Sequence, residues 1–140
     1  MRQISFPIFA LLLLATVADV HAGWDSGGLK ITSVRDNQTV SASSLMFTSG
    51  TILADRPTMP VTDTRVVQAY AGVKDSNGVL VPYTSNSTLV NRFRSYWNVR
   101  LDGSRIPKNR TGRGFVYARS RYYSASSVHA ASMVDGLTFR

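Results

Sequence analysis

Between Leu89 and Leu101 the chain alternates. One parity carries Leu89, Asn91, Phe93, Ser95, Trp97, Val99 and Leu101; the other carries Val90, Arg92, Arg94, Tyr96, Asn98 and Arg100. Side chains on a strand point to opposite faces with a period of two, so the segment reads as a strand with its first set against a core and its arginines in water. A helix would scatter those arginines around its circumference. Phe115 to Tyr123 behaves alike: Val116, Ala118, Ser120 and Tyr122 fall on one face, and Phe115, Tyr117, Arg119, Arg121 and Tyr123 on the other.

The rest of the chain extends this reading. Thr64 to Lys74 predicts a strand with Val67, Ala69, Ala71 and Val73 on one face. Asp75-Ser76-Asn77-Gly78 predicts a hairpin turn, because Asn and Gly tolerate positive φ, and Val79 to Tyr83 then returns antiparallel. Shorter strand candidates are Leu29–Val34, Thr39–Thr48, Ser124–Ala131 and Leu137–Arg140, while Thr84–Thr88 and Asp102–Gly114 read as loops. Gly23–Gly28 reads as a loose lead-in, and Asp55–Asp63, with two prolines, as a further loop. Many short strands with frequent turns and no convincing helix predict a single antiparallel β-sandwich of Greek-key, immunoglobulin-like kind. A small open β-barrel is the alternative.

The first 22 residues stand apart. Arg2 is followed by an apolar run from Phe6 to Ala15, then by a more polar stretch ending Val20-His21-Ala22. This is the layout of a cleavable secretory signal. The run is shorter than the roughly 20 apolar residues that a membrane span needs, and no later stretch is longer. The expected organisation is therefore a signal peptide over 1–22 and one β-rich domain over 23–140, secreted or periplasmic and associated with a surface where its partner is one. The chain is cysteine-free, so its core must hold without disulfides, alone or with help from a partner or a second copy.

Charge is concentrated in one stretch. Residues 92–121 hold nine basic side chains against Asp102 alone, and positive and negative charges cancel elsewhere, so this stretch carries the whole net charge of +8. Seven of the twelve aromatic residues after position 22 also lie in 92–123. If the strands at 89–101 and 115–123 pair as a long-looped hairpin, Arg92, Arg94, Tyr96, Arg100, Tyr117, Arg119, Arg121 and Tyr123 share one face, and the intervening loop adds Arg105, Lys108, Arg110 and Arg113. Guanidinium forks match phosphate, sulfate and carboxylate, and tyrosine adds flat, wettable surface. Such a face suits an anionic polysaccharide, lipopolysaccharide, an anionic lipid surface or an acidic protein, with homo-oligomerisation as a further use. Export argues against intracellular nucleic acid. The expected function is a non-enzymatic binding module. Its alternatives are a structural or assembly subunit of a surface fibre, and a small secreted toxin, antimicrobial or inhibitor. The same arginines also serve simply to keep sheet surfaces soluble.

Signals for catalysis are thin. After position 22 there is one histidine, His129, and the chain has no glutamate and no cysteine. No His/Asp spacing suggests a metal site, and no cofactor motif is present. Sequons at Asn37, Asn86 and Asn109 matter only in a eukaryotic secreting cell.

Overall fold

A computed structural model describes residues 22–42, 45–53, 64–108 and 110–140. The expected leader, apart from Ala22, and the expected Asp55–Asp63 loop lie outside the described residues. The strands are β1 (Trp24–Ser26), β2 (Lys30–Ile31), β3 (Thr39–Val40), β4 (Leu45–Thr51), β5 (Arg65–Lys74), β6 (Leu80–Val90), β7 (Tyr96–Asp102), β8 (Arg110–Tyr122) and β9 (Val128–Phe139), with a 3-10 turn at Gly103–Arg105. They form two sheets. The first runs β1-β9-β8-β5-β6, with β3 parallel to the end of β9, and the second runs β2-β4-β7. All other pairings are antiparallel.

The expected sandwich is what the chain forms, and the sheets do not close into the alternative barrel. β5 and β6 make a hairpin, β7 crosses to the second sheet, and β8 returns beside β5. β6 and β7 meet at the sheet boundary, where the Asn86 amide donates to the Arg100 carbonyl at 3.0 Å and the Asp102 N–H donates to Thr84 Oγ1 at 3.1 Å. The spatial order β8-β5-β6-β7 is that of a Greek key.

The core follows from strand parity. Val67, Ala69, Ala71 and Val73 of β5 are buried as expected, beside Val116 and Ala118 of β8 and Val134 and Leu137 of β9. Trp97, Val99 and Leu101 of β7 meet them from the second sheet. Ser132 helps tie the sheets together. Its buried hydroxyl donates to Asp25 Oδ1 of β1 at 2.6 Å and accepts from the Ile31 N–H of β2 at 3.1 Å. The turn at 75–78 forms as predicted: Asp75 Oδ1 accepts from the N–H groups of Asn77 and Val79 at 2.8 and 2.9 Å, and Gly78 takes a φ of 80°.

Several strand limits differ from expectation. Thr84–Thr88 is strand rather than loop, and Gly23–Gly28 contains β1. Ser124–Ala131 and Leu137–Arg140 contribute to one long β9. The alternating segment 89–101 is not one strand. It breaks at 91–95, where Asn91 Oδ1 accepts from the Phe93 N–H at 2.9 Å and the Asn91 carbonyl accepts from the Arg94 N–H at 2.9 Å. Leu89 and Phe93, expected to face a core, are exposed, and Val90 is buried instead.

Candidate functional site

The hairpin expected between 89–101 and 115–123 does not form. β7 pairs with β4, whereas β8 pairs with β5 and β9 in the other sheet. The outward faces of β7 and β8 therefore belong to opposite sides of the sandwich, and the candidate residues separate into groups. Tyr117, Arg119 and Arg121 lie on the outer face of the first sheet, with Tyr123 just beyond the end of β8. Tyr96 and Arg100 lie on the exposed face of β7. Arg92 and Arg94 occupy the turn between β6 and β7. Arg105 ends the 3-10 turn and Lys108 follows it, both exposed. Arg110 opens β8, and its side chain is outside what the structure describes.

Not every arginine is offered to solvent. Arg113 donates from Nε to the Lys74 carbonyl at 3.2 Å and from its terminal nitrogen to the Asp75 carbonyl, clamping the start of the β5–β6 turn. Arg121 Nη1 donates to the carbonyls of Tyr122, Tyr123 and Ala125 at 3.3, 3.1 and 3.1 Å, closing the chain between β8 and β9. These two guanidiniums stabilise loops. Arg119 differs. It reaches Gln68 Oε1 of β5 at 3.2 Å and sits over the Tyr70 ring, 5.4 Å from its centroid.

Arg119 flanks a row that the sequence did not disclose. Strand register aligns Trp24 of β1, Met133 of β9, Tyr117 of β8, Tyr70 of β5 and Ser85 of β6 across the first sheet. Trp24 and Tyr117 meet edge to face at 6.1 Å and 64°; Tyr117 and Tyr70 lie 6.0 Å apart at 31°. Three strand steps separate Trp24 from Tyr70, so at 4.7–4.9 Å per step their backbones stand roughly 14 Å apart. The rings are tilted against one another, giving successive ring-sized facets rather than one plane. The neighbouring row holds Arg119 between Ala131 and Gln68.

The row ends at a groove. Tyr70, Tyr83, Ser85 and Asn86 line it from the first sheet, and Arg100 and Arg105 from the far side of the sheet boundary, around a volume of about 490 Å³. Asp102 lies between the arginines in sequence and also lines the groove. The Ser104 hydroxyl at 2.6 Å and the Ser104 N–H at 3.1 Å donate to Asp102 Oδ1 and, with a smaller contribution from the nearby Arg105 charge, hold its carboxyl below its ordinary pKa. The groove thus brings Arg100 of β7 and Arg105 of the 3-10 turn towards the aromatic row by wrapping around an edge, not by sharing a sheet.

His129 approaches Ser120 Oγ at 3.1 Å through Nε2, and its ring stacks on Tyr122 at 4.8 Å. Ser120 is wholly buried, so its hydroxyl lies where a substrate has no approach. Among the described residues no cluster of three His, Cys, Asp or Glu is placed to hold a metal ion, and no helix is long and apolar enough to cross a membrane. No protein-family model matches this chain, and no curated protein matches it by sequence.

Proposed function

We propose that this chain is an exported, non-enzymatic binding module that holds an anionic polymer, with an acidic polysaccharide the best chemical fit, across the outer face of its first sheet. The observation that carries this reading is the Trp24–Tyr117–Tyr70 row with the Arg119 guanidinium seated over Tyr70. Aromatic facets stack on apolar ring faces, and a guanidinium beside them pairs with a carboxylate or sulfate. The row leads into the groove where Arg100 and Arg105 supply further charge. A polymer lying across the strands would meet three stacking facets in succession, the Arg119 guanidinium beside them, and then the groove arginines.

The test is retention of the purified chain on immobilised heparin and polygalacturonate across a salt series. Affinity is expected to fall steeply with salt, since such contacts release counterions. Trp24→Ala and Tyr117→Ala are each expected to weaken retention by about tenfold, in line with stacking worth about 1–3 kcal/mol. Arg119→Ser should flatten the salt dependence. Wild-type retention from all three variants, or elution of the unaltered chain below physiological salt, would overturn the reading.

A further inference from the structure

A second surface lies at the end of the sandwich where β6 passes into β7. Arg65 opens β5 and is only 1 % exposed. Its guanidinium donates to four carbonyls: Leu53, Asn91 at 2.9 Å, Arg92 at 3.2 Å and Arg94 at 2.8 Å. One buried cation thereby binds the 91–94 turn to the chain leaving β4. Hydrogen bonds from the Ile52 N–H to the Ser95 carbonyl and from the Tyr123 N–H to the Thr64 carbonyl close the same end.

The side chains presented there are apolar, aromatic and cationic. Leu53, Leu89 and Phe93 are 69, 60 and 55 % exposed, and Tyr96, Tyr123 and Val128 stand out at the same end. Arg92 lies over the Phe93 ring at 4.9 Å, and Arg94 over the Tyr96 ring at 5.0 Å. The described aspartates are elsewhere. Asp75, Asp102 and Asp135 belong to the opposite end, Asp36 hydrogen-bonds the Asp135 N–H, and Asp25 of the edge strand β1 pairs with Ser132. Residues 54–63, which bring Asp55, Arg56 and Asp63, lie outside the described residues.

We propose that this end docks on an anionic lipid bilayer, with Phe93 and Leu53 entering the acyl boundary and Arg92 and Arg94 meeting the headgroups. Charge complementarity and the mix of side chains favour this occupant. Apolar tips gain by leaving water, tyrosines settle at headgroup depth, and arginines keep their charge at the interface while burying their stems. The Arg65 anchor lets the turn keep its shape as it meets the lipid, so little ordering entropy opposes docking. The docking end shares no residue with the Trp24–Tyr117–Tyr70 row, although Arg119 beside that row lines one groove with Tyr123 and Val128; neither proposal depends on the other.

The test is co-sedimentation of the full chain with vesicles of phosphatidylcholine alone and of phosphatidylcholine with phosphatidylglycerol. Binding is expected only to the anionic vesicles. Phe93→Ser and Leu53→Ser should each reduce partitioning at least tenfold, and Arg94→Ser about fivefold, in keeping with about 1 kcal/mol per surface arginine. Tyr117→Ala and Trp24→Ala should leave it unchanged. All the altered side chains are at least partly exposed, and thermal unfolding of each variant establishes that the fold persists. Equal loss in the Tyr117 and Trp24 variants would overturn the proposal. So would vesicle binding indifferent to Phe93 and Leu53, or a chain that ignores vesicles but forms dimers that Phe93→Ser abolishes.

Discussion

The outer face of the first sheet and the turn at 91–95 draw on the same residue types, arginines and aromatic rings, but hold them differently. On the sheet, the backbone is set by the β1-β9-β8-β5-β6 ladder, and side chains such as Arg119 and Tyr70 are free to define the surface. At the turn no ladder exists beyond Val90, and the Arg65 guanidinium takes the carbonyls that a neighbouring strand would otherwise take. Six of the described arginines divide between two duties. Arg65, Arg113 and Arg121 satisfy backbone carbonyls, whereas Arg119, Arg94 and Arg92 cover aromatic rings. The distinction is invisible in a charge count.

Arg65→Met puts the largest strain on this contrast. It removes a buried cation from four carbonyls and should lower unfolding stability by about 3 kcal/mol or more in urea, since hydrogen bonds from charged donors are worth more than neutral ones. Amide exchange should rise at 91–95 before it rises in β5. A stability loss below about 1 kcal/mol would mean that water replaces the guanidinium easily, and the contrast would fail. Next is Ser132→Ala, which strands the buried Ile31 N–H, removes the Asp25 carboxylate's donor and should cost about 1–3 kcal/mol. That places the link between sheets above any contact on the outer face.

A paired comparison sharpens the two duties directly. Arg113→Ala should destabilise by about 1 kcal/mol, because the Lys74 and Asp75 carbonyls lose their donor. Arg119→Ala should stay within about 0.5 kcal/mol, because it gives up a side-chain amide and a ring rather than backbone carbonyls. Equal effects would erase the distinction. The smallest effect belongs to Asp102→Asn. Its carboxyl is held below its ordinary pKa, so the ionised form adds stability above that ordinary value, and the contribution disappears as pH falls through the lower folded value. The two proteins should differ slightly at neutral pH and converge in acid, as read by chemical unfolding across pH.

Local period made β5 and its turn legible. Val67, Ala69, Ala71 and Val73 alternate without interruption, and Asp75 to Gly78 carry turn chemistry that few other conformations use. The half of 89–101 that became β7 was equally readable through Trp97, Val99 and Leu101. Asn91 defeated the other half. Asn is tolerated in strands and favoured in turns, and the deciding partner, Arg65, lies 26 residues away. Pairing was beyond reach for the same reason. Alternation gives each strand its faces and says nothing about which strand lies beside it, so Arg100 and Arg119 share a parity argument without sharing a sheet. Trp24 was missed because a three-residue strand has no period to read. Tyr70 does carry a signal in the sequence: it alternates out of phase with the Val67–Val73 set and so faces outward.

The two tryptophans sit at opposite extremes of this architecture. Trp97 is 2 % exposed, its indole N–H donating to the Thr51 carbonyl at 3.1 Å, and Trp24 is 46 % exposed at the head of the aromatic row. Their emission spectra should separate accordingly, with Trp97 to the blue and Trp24 to the red. A ligand on the row quenches or shifts the red component while leaving the blue one still; unfolding moves the blue one. Fluorescence from Trp24→Phe and Trp97→Phe variants then distinguishes occupancy from melting in a single cuvette, with no dye attached.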